Sequence, residues 1–411
     1  MNFLRFYCIL FSLNAFSHGT VTSIDDFEDL NRLINFPDTD KYHVVSADLH
    51  THSVFSDGHV WPNLRVAEAL RDGIDLIAVT EHLELQPHIS DIPHKDRNRP
   101  YEIAFNAAKE SNLIVINGTE ITRKFPPGHI NAVFVKDANK LINIDRSRQS
   151  EVEEFIEALP DDLIQEYIDE PWLNDAVLAA LWPIEETLLE AKQQNAFVFW
   201  NHPAWSAEQE NSDKVLTNMH IELINKNLIN GIEVVNGLWF SDEAFQIAID
   251  YGLTIIGTSD VHGLIDWDYL QRPDGHRPVT LILADKMDEN SIKKALFKGK
   301  TVIWYKNELI GLEENVLHLI NSYLKIINTS FKAKTNVLVV DIKNTSDVKF
   351  VLKVNDGTSI ENGASIFNIL PNTTTSIEIG NSLSKKVNIG VDVLNAYIKP
   401  NTHPSTILTN H

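Results

Sequence analysis

The chain has 411 residues, 43% of them hydrophobic, which is enough for a large core and for two domains or one barrel-sized domain with an appendage. Its 35 Lys and Arg against 57 Asp and Glu leave a formal net charge of −22, which argues against loose electrostatic binding to nucleic acid or to an anionic membrane. A small anionic substrate stays compatible with that charge, because bound divalent cations reverse the field locally.

The N-terminus reads as a cleavable secretory signal over residues 1–18, implying a secreted or periplasmic mature protein. Arg5 supplies a thin positive region, residues 6–16 are apolar, and Ala15-Phe16-Ser17 offers small residues for cleavage. The run is too short to span a membrane, and no later segment reaches that length. The one cysteine, Cys8, lies inside the signal, so the mature chain has no thiol to offer. Any metal site must use His, Asp and Glu. Residues 19–43 form a polar, acidic leader in which Phe27, Leu30, Leu33 and Ile34 have the spacing of a short helix.

Val44 and Val45 lead, as a buried strand, into Asp48-Leu49-His50-Thr51-His52-Ser53, followed by Ser56-Asp57-Gly58. Two histidines two residues apart on a strand share one face and can share one metal ion. A helix is expected over 64–72, ended by Gly73, and then a strand over 74–79 that delivers Thr80-Glu81-His82. A helix over 101–110 and a strand over 113–116 lead to Gly118-Thr119-Glu120. Pro126-Pro127-Gly128 marks a turn, and His129 opens a strand over 130–135. Residues 137–195 read as an acidic helical insertion without chemistry of its own. Strands over 197–200, 232–235, 253–257, 280–283 and 301–304 follow, the first delivering Asn201-His202-Pro203 and the third Thr258-Ser259-Asp260-Val261-His262. Short apolar strands alternating with helical stretches give an α/β fold, with ligands at the C-terminal strand ends. Residues 44–308 form this domain. From 309 to 411, short strands over 337–342, 350–354, 376–379 and 387–391, separated by Asn, Gly, Ser and Thr, read as a small β-sandwich.

Nine residues gather at the strand ends: His50, His52, Asp57, His82, Glu120, His129, His202, Asp260 and His262. Taken singly, each is an ordinary polar residue. Together, imidazoles with carboxylates suit two or three zinc, manganese or iron ions, whose activated water performs hydrolysis. No internal repeat, nucleotide-binding Gly loop or HExxH helix competes.

The motifs Asp48-Leu49-His50-Thr51-His52-Ser53, Thr80-Glu81-His82, Asn201-His202-Pro203 and Ser259-Asp260-Val261-His262 resemble, in order, those of the PHP (polymerase and histidinol phosphatase) family. The resemblance spans residues 44–305. It implies a distorted (β/α)7 barrel, a trinuclear metal centre and phosphoesterase activity on a small phosphorylated substrate. By resemblance, His50, His52, Glu120 and Asp260 hold one ion, and Asp57, His82 and His262 a second. Glu120 bridges to a third held by His129 and His202. Asp57 stands where many members have His, and Glu81 where Asp is usual; Glu81 is not expected to bind metal.

Phosphate recognition calls for cations besides the metals. Arg123 and Lys124, between Glu120 and His129, and Arg272 and Arg277, in a Pro/Gly-rich loop, are the candidates, although a solvated charge is the commoner fate of such residues. Trp205, Trp239 and Trp267 follow strand ends and could line the pocket, although packing is their commoner role. Two other readings stand beside the phosphoesterase: a metal-dependent hydrolase of a C–O or C–N bond, and a binding protein whose metals are structural.

Overall fold

The computed structural model describes residues 33–157, 170, 172–209, 211–212, 214–269, 276–361 and 363–410. The expected signal, most of the expected leader helix and Arg272 lie outside the described residues. The chain forms two compact units: one built on Ala47–Arg277, and one combining Ile34–Ser46 with Pro278–His411. Among the described residues no helix is long and apolar enough to cross a membrane.

The first unit runs from the end of β1 (His43–Asp48) through α1 (Pro62–Asp72), β2 (Leu76–Val79), α2 (Arg99–Ala108), β3 (Ile114–Ile121) and β4 (Ile130–Val133). It continues through α3 (Gln149–Glu157), α4 (Trp172–Ala180), α5 (Ile184–Gln193), β5 (Phe197–Trp200), α6 (Pro203–Gln209) and α7 (Asn218–Asn225). It ends with β6 (Gly231–Asn236), β7 (Trp239–Phe240), α8 (Asp242–Tyr251), β8 (Thr254–Thr258) and α9 (Ile265–Tyr269). The strands β2, β5 and β8 are buried at every position, as expected where both faces of a sheet are covered. Pro62 opens α1 and Gly73, at φ 72°, closes it in the left-handed conformation that favours glycine.

β1, β2 and β3 are parallel, with Ala47 opposite Leu76 and Ile77 opposite Val115. β4 then turns antiparallel to β3 and to β5, and β5, β6 and β8 are again parallel. The result is a mixed half-barrel that the sequence pattern anticipates except for the direction of β4. Only eight residues separate β3 from β4, too few for a parallel crossover. The segments beyond β1 and β8 meet through His52 N–H to Val261 O (3.1 Å) and Asp260 N–H to His50 O (3.0 Å). Within the expected insertion, Val152 on α3 and Leu173, Val177 and Leu178 on α4 form a small core of their own.

The second unit carries β9 (Val279–Ala284), α10 (Glu289–Phe297), β10 (Thr301–Tyr305), β11 (Glu308–Gly311) and α11 (Glu313–Tyr323). Its leader segment is anchored by Phe36, edge-on to Trp304 at 5.0 Å, and by the Tyr323 hydroxyl donating to Pro37 O (2.9 Å). Seven strands follow in two sheets. One is ordered β12 (Leu324–Phe331), β13 (Leu338–Asn344), β16 (Thr374–Ile379); the other is β15 (Ile366–Ile369), β14 (Phe350–Val354), β17 (Asn388–Val393), β18 (Ser405–Thr409). Burial alternates residue by residue along β13, β14 and β17, the signature of a sandwich with one solvated face per sheet.

Candidate metal centre

Strand-like pairing continues past the formal strand ends and sets the ligands side by side. Beyond β2, Glu120 N–H donates to Glu81 O (2.9 Å) and Leu83 N–H to Glu120 O (2.7 Å), which places His82 beside Glu120. Just before β4 and just after β5, Asn201 N–H donates to His129 O (3.0 Å), which brings His129 to His202. His202 and Asp260 have φ values of 27° and 50°, so the chain turns sharply as it leaves β5 and β8. Left-handed backbone at two non-glycine residues is strain of the kind held at functional sites.

All nine expected ligands converge. His50 Nε2 and His52 Nε2 are 3.0 Å apart. Asp260 Oδ1 is 3.1 Å from each, and Glu120 Oε2 is 3.4 and 3.3 Å away. Neighbouring ligands at about 2.1 Å from a common ion stand roughly 3.0–3.4 Å apart, so these four atoms have the spacing of one coordination shell. A second group joins His52, Asp57, His82 and His262, with Asp57 3.3 Å from His262 Nε2 and 3.5 Å from His82 Nε2. A third joins His82, Glu120 and His129; His129 Nδ1 is 2.9 Å from Glu120 Oε1, and His202 Nε2 reaches the same oxygen at 3.4 Å. Glu120 is therefore common to the first and third groups.

The segment holding Asp57 is locked from below. Glu81 accepts from Ser53 N–H (3.0 Å), from the Ser53 hydroxyl and from the Ser56 hydroxyl (2.6 Å), the role of a buried clasp rather than a ligand. Gly58 is required here because a Cβ would sit 2.7 Å from Ser53 N and 2.8 Å from the His52 carbonyl carbon. Arg65, buried on α1, donates to His52 O (2.8 Å) and His262 O (2.8 Å), tying the first motif to the last.

A carboxylate the motif reading passed over, Glu233 on β6, organises the ligands from behind. Its Oε1 lies 2.8 Å from His50 Nδ1 and accepts from the Thr258 hydroxyl (2.6 Å). Its Oε2 accepts from His202 N–H (2.8 Å) and from Asn236 Nδ2 (2.9 Å), and Asn236 also reaches Asp260 Oδ2 (3.1 Å). Such partners fix the tautomer and orientation of metal-binding histidines. The signal was a lone acid inside the apolar run Ile232-Glu233-Val234-Val235. Asn201 likewise donates to Glu120 Oε1 (2.9 Å).

The expected substrate cations fare differently. Arg277 is 1% exposed and paired with Asp48 (3.1 Å) and Asp72 (2.8 Å), so it is a buried structural ion and not a lid over the site. Arg123 is committed to Glu84 and to Ala179 O (3.4 Å) on α4, which corrects its assignment to substrate. Lys124 is half-buried.

Burial disfavours charge throughout the cluster; at His129 it prevails over Glu120 and lowers the imidazole, whereas close pairing outweighs it at His50, His82, His262, Asp57, Glu120 and Asp260. Asp260, Glu120 and Glu233 hold His50 well above the usual imidazole range; Glu120 and Asp57 do the same for His82. Asp57 lifts His262 to about 9 against its burial. The imidazoles in turn hold Asp57, Glu120 and Asp260 well below the usual carboxylate range, again against burial. Both Asp57 oxygens and Asp260 Oδ1 are buried acceptors with no hydrogen-bond partner. Orphaned acceptors converging with imidazole nitrogens fit divalent cations, with a donor set suited to zinc, manganese or iron.

A two-domain protein from Bacteroides vulgatus containing a predicted PHP-like metal-dependent phosphoesterase has a solved structure similar to this one. The likeness has a TM-score of 0.75 at 30% identity and covers 92% of this chain and 98% of that one. A candidate metal-dependent phosphoesterase from Bifidobacterium adolescentis aligns less closely, with a TM-score of 0.37 and 19% identity over 63% of this chain and 98% of that one. A family model described as an Ig-like domain matches residues 324–409, the two-sheet part of the second unit. No curated protein matches the chain. The chain therefore belongs to the PHP-like metal-dependent hydrolases, in the two-domain form that carries an Ig-like domain after the catalytic half-barrel.

Proposed function

We propose that the chain hydrolyses a phosphate mono- or diester at this cluster, loaded with two or three divalent ions. One observation carries the reading: adjacent groups of buried, metal-competent atoms meet around the carboxylate of Glu120. His50, His52, Glu120 and Asp260 would hold one ion, Asp57, His82 and His262 a second, and His129 and His202 with Glu120 a third. Bound there, zinc, manganese or iron supplies Lewis-acid polarisation of a phosphoryl oxygen and a lowered pKa for water.

The residues of the chain decide what can enter. Asp57, Glu120 and Asp260 create a negative field that two divalent ions already reverse, so an anionic ester is admitted only to the loaded protein. His50 and His52 have fully buried side chains, whereas that of His262 is 33% exposed, so the cluster opens to solvent on the His262 side. In the reaction the ester P–O bond to the alcohol breaks, the oxygen of water takes its place on phosphorus, and one proton of that water leaves with the alcohol. Glu233 and Glu81 keep the ligands in place throughout. Residues 1–18 are read as a cleavable signal, on the strength of Arg5 and the apolar run that follows, which places the mature protein outside the cytoplasm.

The test pairs metal content with hydrolysis of 4-nitrophenyl phosphate and bis(4-nitrophenyl) phosphate on one preparation of the chain from residue 19. Two or three equivalents of metal with chelator-sensitive cleavage, abolished in a folded His52→Ala variant, is the expected result. Metal present with neither ester cleaved would move the assignment to another bond. A His52→Ala protein with full activity would refute the site.

A further inference from the structure

The phosphoester reading leaves the alcohol side of the substrate open, and the distribution of tryptophan narrows it. Of eight tryptophans, Trp61, Trp239 and Trp267 are 48%, 60% and 60% exposed, whereas Trp172, Trp182, Trp200, Trp205 and Trp304 are buried or half-buried. All three exposed rings follow the C-terminal ends of strands that feed the cluster. Trp61 comes four residues after Asp57, Trp239 three after Asn236, and Trp267 five after His262. Exposed indoles placed just past the strand ends that carry the cluster are candidates for contact with its ligand.

Trp267 is the one packed against the segment that carries His262, through Gly263. Its short helix α9 is pinned by Ile265 and Tyr269, both at most 2% exposed, by Ile265 N–H donating to Glu68 (2.8 Å), and by the Arg71–Asp266 pair (2.7 and 2.8 Å). Its ring lies against Gly263, where a Cβ would come within 2.5 Å of it, so the residue after His262 is glycine to make room for the indole. The neighbouring ring is that of His59, at 6.4 Å, and the backbone N–H of His59 donates to His262 O (2.8 Å). A rigid, outward indole thus stands beside the most open ligand. Rigid aromatic faces of this kind bind flat rings at little entropic cost.

We propose that the ester's alcohol carries a flat aromatic ring, and that Trp267 is the specificity-determining contact that stacks on it. The inference rests on the phosphoester reading for the reaction, but not for the binding. Adenosine 5′-monophosphate and ribose 5-phosphate share the same ester bond and differ only in the aromatic base. The manganese-loaded full chain should show kcat/KM at least tenfold higher for the former. Trp267→Ala should lower that value five- to fiftyfold, mainly through KM, leave ribose 5-phosphate within twofold, and be partly rescued in Trp267→Phe. A parallel titration of the metal-free protein with adenosine and with ribose, read by tryptophan fluorescence, measures the ring contact without turnover. Neither ester cleaved, with adenosine quenching lost in Trp267→Ala, would sink the reaction and keep the ring site. Equal loss on both esters, or adenosine and ribose bound alike by native and variant, would overturn the ring assignment.

Discussion

Replacing Glu233 by Gln changes one oxygen to an NH2 group and leaves the size of the side chain unaltered. Native Glu233 faces His50 Nδ1, the Thr258 hydroxyl, His202 N–H and Asn236 Nδ2, at 2.6–2.9 Å. The glutamine can keep one oxygen toward two of these donors and must set its NH2 against the other two. If the oxygen faces His50 and Thr258, Asn236 can turn toward Asp260 but the His202 N–H has no alternative. An unpaired buried donor costs about 1–3 kcal/mol, and loss of the charge weakens the remaining bonds, so about 2–4 kcal/mol of stability should go. Metal affinity should fall roughly 10- to 100-fold, the usual effect of removing a partner behind a metal-binding histidine. Denaturant unfolding of the metal-free protein reads the first quantity, and competition with a chromophoric chelator reads the second. A Glu233→Gln protein that unfolds at the native denaturant concentration and holds metal as tightly would refute the claim that Glu233 organises the ligands.

Three further outcomes follow from the same geometry. Gly58→Ala forces a Cβ into the 52–53 backbone and should displace Asp57, lowering metal stoichiometry in atomic absorption while circular dichroism stays native. Arg277→Met should strip the buried Asp48 of its cation, leaving it only the Ser259 hydrogen bonds, and leave Asp72 to Arg71, costing about 3–5 kcal/mol in denaturant unfolding, with KM unchanged in whatever enzyme folds. In metal-free protein the His262 pKa lies near 9, above its unfolded value of 6.5, so its contribution to stability is fully present below pH 6.5 and is lost as pH rises through about 9. Midpoints of chelated protein should fall over that interval, and a midpoint that rises across it would contradict the carboxylate–imidazole pairing.

The candidate ligands were legible in the sequence because two pairs repeat a two-residue spacing and the others lie at the ends of apolar strands or in the turn after the first pair. His50 and His52 share a strand face, and Asp260 and His262 repeat the spacing. What surrounds them was not legible, because it is assembled from afar: Glu233 is 183 residues from His50, and Arg65 is 197 from His262. Arg277 misleads for the same reason. Its loop looks exposed by composition, and its burial is visible only through Asp48, 229 residues back, and Asp72. The direction of β4 was within reach, since eight intervening residues exclude a crossover, but apolar content reports that a strand exists and not which way it runs.

The Arg277–Asp48 pair also bears on how such a chain can be assembled in evolution. The main span of the first unit, Ala47–Arg277, lies in sequence between the two parts of the second, Ile34–Ser46 and Pro278–His411. Asp48 and Arg277 stand one residue from, or at, the two junctions, and their 3.1 Å contact holds the two ends of that span together. A guest whose ends are adjacent adds little closure entropy to its host, the condition under which domain insertions are tolerated. A buried ion pair thus keeps the two ends of the Ala47–Arg277 segment together, whatever flanks it in the chain.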